Sequence, residues 1–159
     1  MAELFINVSS QVCTLKQAGI LQRLGLLQKS LLYHHKSSAL SGDGWAIGTE
    51  SDITTLFSTD VLSAFNTAEL GAMLLKETRY CYYHPGTGMW SHEHALKKEK
   101  LFSTQAQAYA ARLIWRMRIE PLKYTAEFVN QRLINFYKGT TAGITPEIEN
   151  IKTQYEKGY

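Results

Sequence analysis

The sequence predicts an α+β fold: four or five helices packed on a small, mostly antiparallel sheet that includes one aromatic hairpin. Three observations predict it. Residues 63–74 contain a helix start, with Asn66 or Thr67 as N-cap and Glu69 placed to accept from the cap's N–H. Aromatic-rich runs over 78–84 and 89–94 flank the turn Pro85-Gly86-Thr87-Gly88. The second half then carries apolar residues at three-and-four spacing over 104–119 and 125–138.

Taken in order, residues 14–25 read as a first helix. Thr14 is its cap, Leu15, Ala18, Leu21 and Leu24 form one apolar face, and Gly25 suits the left-handed position after the end. Residues 30–36 are extended, 37–44 form a polar loop, and Trp45-Ala46-Ile47-Gly48 is a short strand. Residues 51–58 fit either a strand or a short helix, and the spacing of Ile53, Leu56 and Phe57 favours the helix. The capped helix spans 67–77. A four-residue hairpin loop sets Tyr83 opposite Trp90, His84 opposite Met89 and Cys81 opposite His92. Helix 104–119 carries Ala106, Ala110, Leu113 and Met117 on one stripe, with Ser103 or Thr104 as cap and Pro121 as stop. Helix 125–138 turns Phe128, Leu133 and Phe136 inward and ends at Gly139, and Thr145-Pro146-Glu147 opens a last helix.

A chain of 159 residues, 45% hydrophobic and 19% charged, is expected to be one globular domain spanning 1–159. No apolar run approaches the roughly 18 residues a membrane span requires. Met1-Ala2-Glu3-Leu4-Phe5 has no basic region ahead of an apolar core, which predicts no secretory leader and a cytoplasmic protein. In that compartment Cys13 and Cys81 are expected to be buried thiols rather than a disulfide. The net charge of +3 is unevenly spread. Residues 43–77 hold six acids against Lys76, a net of −5; residues 97–138 hold nine bases against three acids, a net of +6. Such a split steers an anionic partner, compensates internally, or favours head-to-tail contacts between copies of the chain.

Cys81, His84, His92 and His94 carry zinc-ligand chemistry, but in this register His84 points away from the other three, and the spacing fits no closed structural site. No metal or other cofactor is expected. Tyr80, Tyr82, Tyr83, Trp90 and Phe102 lie close in sequence to Lys97, Lys98 and Lys100, an aromatic and basic combination that suits a nucleotide or single-stranded nucleic acid. The alternative is that these aromatic residues simply build and pack a sheet. Arg112 and Arg116, four apart, share a helix face; the pair grips phosphate or carboxylate, or else covers a core helix and pairs with acids such as Glu120. No short turn with a preceding helix makes a major-groove reader. Phosphate-loop, nucleophile-elbow, zinc-protease and dinucleotide patterns are absent from the sequence. Cys13 stands at a helix entry without a partner histidine in its vicinity, which favours a buried thiol over a nucleophile. Binding is therefore expected rather than catalysis, on a surface formed by Tyr82, Trp90, Lys97, Lys98, Arg112 and Arg116.

Several segments together resemble a set of small phage- and prophage-encoded proteins without an established activity. They are Val12-Cys13-Thr14-Leu15, Leu24-Gly25, Gln28-x-Ser30-Leu31-Leu32-Tyr33 and Ser63-Ala64-Phe65-x-x-Ala68-Glu69-Leu70-Gly71. The second half is similar more loosely: Ala106-Gln107-Ala108-Tyr109-Ala110-Ala111-Arg112-Leu113-Ile114 resembles an Ala-x-x-x-Ala-Arg-x-Leu-type helix. The resemblance implies a bacterial host cytoplasm and an accessory protein that acts by binding. The role the resemblance implies is anti-defence: sequestering a nucleotide-type signal or blocking an acidic surface of a host defence protein. The alternatives are a nucleic-acid-binding accessory of phage replication and a small nucleotide-acting enzyme. The resemblance transfers no site residues.

Overall fold

Four helices supply most of the apolar core. In the computed structural model, which describes residues 11–37, 44–92 and 101–141, the elements are α1 (Leu15–Arg23), β1 (Tyr33–Lys36), β2 (Trp45–Gly48), α2 (Glu50–Thr55), β3 (Asp60–Ser63), α3 (Thr67–Met73), a 3₁₀ turn (Lys76–Thr78), β4 (Tyr82–His84), β5 (Met89–Ser91), α4 (Gln105–Ile119) and α5 (Ala126–Thr141). Five α-helices and two small antiparallel sheets give the expected α+β architecture among the described residues. None of these helices is long and apolar enough to cross a membrane.

The starts of the helices are chemically specified. Thr14, Thr49 and Asn66 each accept from the N–H three residues on, and Gln17, Asp52 and Glu69 each return a bond to the cap's own N–H. Such reciprocal caps satisfy two otherwise orphaned donors at once. Thr104 caps α4 through its hydroxyl. Gly25, at φ 94°, turns the chain out of α1, and a side chain there would be strained whatever space it had.

Ala106, Ala110, Leu113 and Met117 of α4 are buried, as their spacing predicts, and pack with Phe65, Leu70 and Met73 and with Val129 and Leu133 of α5. The first sheet has the order β2-β1-β3, with Tyr33 opposite Gly48 on one side and Ser63 on the other. The hairpin forms in the expected register, Tyr83 opposite Trp90 and His84 opposite Met89. Phe102 returns to exchange two 2.7 Å backbone bonds with Trp90.

Five expectations need revision. Strand β3 was not anticipated; it is only four residues long, and pairing with β1 creates it. Helix α3 stops at Met73 instead of running to 77, because Leu74 is extended and arginines take the last carbonyls: Arg132 donates to Ala72 and Leu74, and Arg79 to Leu74. The hairpin's first strand begins at Tyr82 rather than at 78, because Thr78 closes the 3₁₀ turn and holds Tyr124 through its hydroxyl at 2.5 Å. Helix α5 continues through Gly139 to Thr141, because an isolated glycine costs a helix only about 1 kcal/mol. Along α5 Leu133 is fully buried, but Phe128 and Phe136 are only half-buried, and Val129 completes the core face instead. The helix expected after Pro146 lies outside the described residues.

Candidate functional site

Four of the six residues expected to form one binding surface are described, and these four do not share one face. Tyr82 pairs with Ser91 across the hairpin while Trp90 pairs with Tyr83, so Tyr82 and Trp90 stand on opposite faces of a two-stranded ribbon. Trp90 packs on the ring of Tyr83, centroids 5.0 Å apart, and Tyr82 meets Tyr80 edge-on at 5.5 Å. Arg116 is bound within its own helix to Glu120, at 2.6 Å. Lys97 and Lys98 lie outside the described residues.

Arg112 is a correction of a different kind. It is 2% exposed, and its guanidinium faces inward. Nε donates to the Thr78 carbonyl at 2.5 Å and Nη1 to the His92 carbonyl at 2.9 Å, while the Tyr80 ring lies 3.7 Å from the guanidinium carbon. Burial pushes its pKa down, and the neighbouring Tyr80 counters this in part. A cation committed to two carbonyls and an aromatic face is a fastener between α4 and both approaches to the hairpin. Its helical spacing with Arg116 gave no warning, since arginine is rarely so buried.

A groove the sequence did not disclose lies between α3, α4 and α5. It encloses about 530 Å³ and has a floor of small residues, Ala68, Gly71 and Ala72, at the exposed side of α3. Tyr109 of α4 and Phe136 of α5 supply aromatic walls, and Arg79, Arg132 and Asn135 supply polar edges. Bonds to the end of α3 occupy two of Arg132's five N–H donors and one of Arg79's, so each guanidinium is oriented and retains donors. Oriented guanidiniums beside flat apolar walls suit an anionic group attached to a ring. The signal in the sequence was the small-residue run of α3, read only as a helix.

Glu69 lies behind this groove. It is fully buried, with Oε1 accepting from the Asn66 N–H at 2.9 Å and Oε2 from the Leu31 N–H at 3.2 Å and from the Tyr137 hydroxyl. One carboxyl thereby joins α3, the segment ahead of β1, and α5. Burial is the main cause that raises its pKa to about 7, against the two backbone donors.

The remaining titratable clusters are closed. His34 is buried, burial holds its pKa down, and its Nε2 donates to the Cys13 carbonyl at 2.9 Å. His35 Nδ1 lies 2.8 Å from the Ser58 hydroxyl, a serine–histidine pair, but the imidazole is 1% exposed and no substrate reaches it. A methyl group on Gly48 would come within 2.6 Å of Asp52 Oδ2 and 2.9 Å of His35 Nε2, so a larger residue there would have to displace both side chains. His84 Nε2 bonds to Ser91 Oγ at 2.8 Å, and among the described residues no three His, Cys, Asp or Glu side chains converge on a metal position. Burial pushes the Cys13 thiol up to about 12. A protonated thiol in the core does not attack electrophiles. Cys13 is therefore expected to resist iodoacetamide in the folded protein and to react only when denaturant unfolds it. Labelling of Cys13 in native buffer, located by peptide mass spectrometry, would contradict this burial.

No family model, curated protein or solved structure matches the chain.

Proposed function

We propose that this protein captures a small anionic, ring-bearing molecule of nucleotide type in the α3–α4–α5 groove, in keeping with an anti-defence accessory protein of a phage. One observation carries the reading: two guanidiniums anchored on the end of α3 stand beside two aromatic walls over a floor of alanine and glycine. The guanidiniums meet the phosphate or carboxylate, and the ring lies against Tyr109 and Phe136 above Gly71. The phage setting rests on the resemblance of residues 12–33 and 63–74.

The test is equilibrium dialysis of the full chain against linear and cyclic nucleotides, followed by denaturation and mass analysis of what is released. The ligand is expected back intact. A stacked base contributes roughly 1–3 kcal/mol, so Phe136→Ala should weaken capture about tenfold or more. Arg79→Gln should do likewise through the lost charge-assisted bonds. A chemically altered ligand would make the protein an enzyme. Preference for a polynucleotide, with affinity falling steeply as salt rises, would favour the replication accessory instead. Capture unaffected by either substitution would move the site away from this groove.

A further inference from the structure

Phe57 has no role in the fold that explains it. Its ring is 85% exposed and its φ is 51°, the one positive value at a non-glycine residue among those described. It stands just past the end of α2, where its N–H donates to the Thr54 carbonyl at 3.3 Å and the Ser58 N–H to the Ile53 carbonyl at 3.0 Å. This pair of bonds closes a helix through a left-handed residue, a position glycine takes freely and a bulky side chain occupies at a cost of about 1–2 kcal/mol. A ring both strained and left in water points to a role outside the fold. Its corner of the molecule is acidic: Glu50 and Asp52 of α2 and Asp60 of β3 are all exposed. Lys36, opposite Asp60, turns its ammonium toward the Trp45 ring, 5.9 Å away.

The complementary surface lies on the same chain. A groove of about 380 Å³ between α1 and α4 has an apolar floor that includes Ile20, Ala111, Ile114 and Trp115, with Lys16 and Arg118 among its lining. Lys16 and Arg118 are exposed, and Arg118 has no ion-pair partner among the described residues. An apolar knob with acidic neighbours complements an apolar socket with basic ones in polarity and in charge.

We propose that Phe57 of one copy seats in the α1–α4 groove of a second copy, with Glu50, Asp52 and Asp60 against Lys16 and Arg118. Knob and socket are different surfaces, so the contact is head-to-tail and propagates into rings or open chains rather than stopping at a twofold dimer. It is independent of ligand capture in the α3–α4–α5 groove.

Sedimentation velocity of the full chain tests it. The average mass should rise from micromolar to submillimolar concentration at low salt, and fall when salt screens these charges. Phe57→Gly removes the knob and relieves the strain. It should weaken association about tenfold or more, the size of effect expected for an aromatic anchor, while the thermal midpoint holds or rises. Arg118→Glu should weaken association from the other side. The deciding experiment mixes the two variants: one keeps its socket and the other its knob, so together they should form a one-to-one pair that neither forms alone. A wild-type chain that stays monomeric throughout overturns the proposal. So does association indifferent to Phe57→Gly, or a mixture that fails to pair.

Discussion

Arg112→Ala is expected to destabilise the protein by about 2–5 kcal/mol, the range for truncating a large buried side chain, with its charge-assisted hydrogen bonds lost as well. The guanidinium holds the Thr78 and His92 carbonyls and lies on Tyr80, so its loss takes a charge-assisted donor from each carbonyl, and Thr78 keeps only the Tyr80 N–H. It also empties volume at the centre of α4, beside the fully buried Leu113. Urea unfolding followed by circular dichroism measures the loss. Arg112→Lys should be almost as damaging, because one ammonium cannot reproduce the planar fork. A loss below about 0.5 kcal/mol would put Arg112 on the surface, where substitutions typically fall in that range. It would then return to the list of ligand-binding residues.

Stability should also fall as pH rises from 4.5 to about 7, and Glu69 should be the main cause. Its folded pKa is about 7, raised by burial from the ordinary 4.5 of a free glutamate. The native state therefore keeps its proton where the unfolded chain has lost it, so the contribution is present in full below pH 4.5 and is lost as pH climbs to 7. The shift corresponds to a change on the order of 3 kcal/mol across that window. His34 works in the opposite sense: its lowered pKa means that acidification favours the unfolded chain, where the imidazole charges freely. The comparison that isolates Glu69 is the wild-type chain against Glu69→Gln, with unfolding free energy measured from pH 5 to 8. The difference between the two curves should slope through this window. Parallel curves would mean that Glu69 titrates near its ordinary value and that solvent reaches the joint between α3 and α5.

Local chemistry was legible wherever it was complete within a few residues. The cap at Asn66 with Glu69, the glycine after α1 and the turn at Pro85–Gly88 each satisfy or redirect backbone groups three or four positions away, and each formed as read. The buried stripe of α4 was equally legible, since four apolar positions at helical spacing share one face. Strand β3 was not, because four residues acquire their extended form from pairing with β1, some 25 positions earlier. The end of α3 was misplaced for a related reason. The groups that stop it, Arg79 and Arg132, come from elsewhere in the chain.

The described members of the expected site are set apart by geometry that only tertiary structure supplies. The alternation of a strand separates Tyr82 from Trp90 as soon as the register is fixed. Whether an arginine on a helix meets water or the interior depends on what packs above it, and for Arg112 that is Tyr80 and the two carbonyls beside the hairpin. The groove needs Arg79, Tyr109, Arg132 and Phe136, drawn from three separate stretches of chain. The sequence by itself determined the α+β class, the helix starts, the hairpin register and the stripe that α4 buries, because periodicity and capping act within one or two turns. Tertiary structure alone decided that Glu69 became a buried joint, that Arg112 became a fastener, and that Phe57 stayed in water. Burial and long-range pairing depend on what the rest of the chain brings alongside, and residues distant in sequence carry no local record of it.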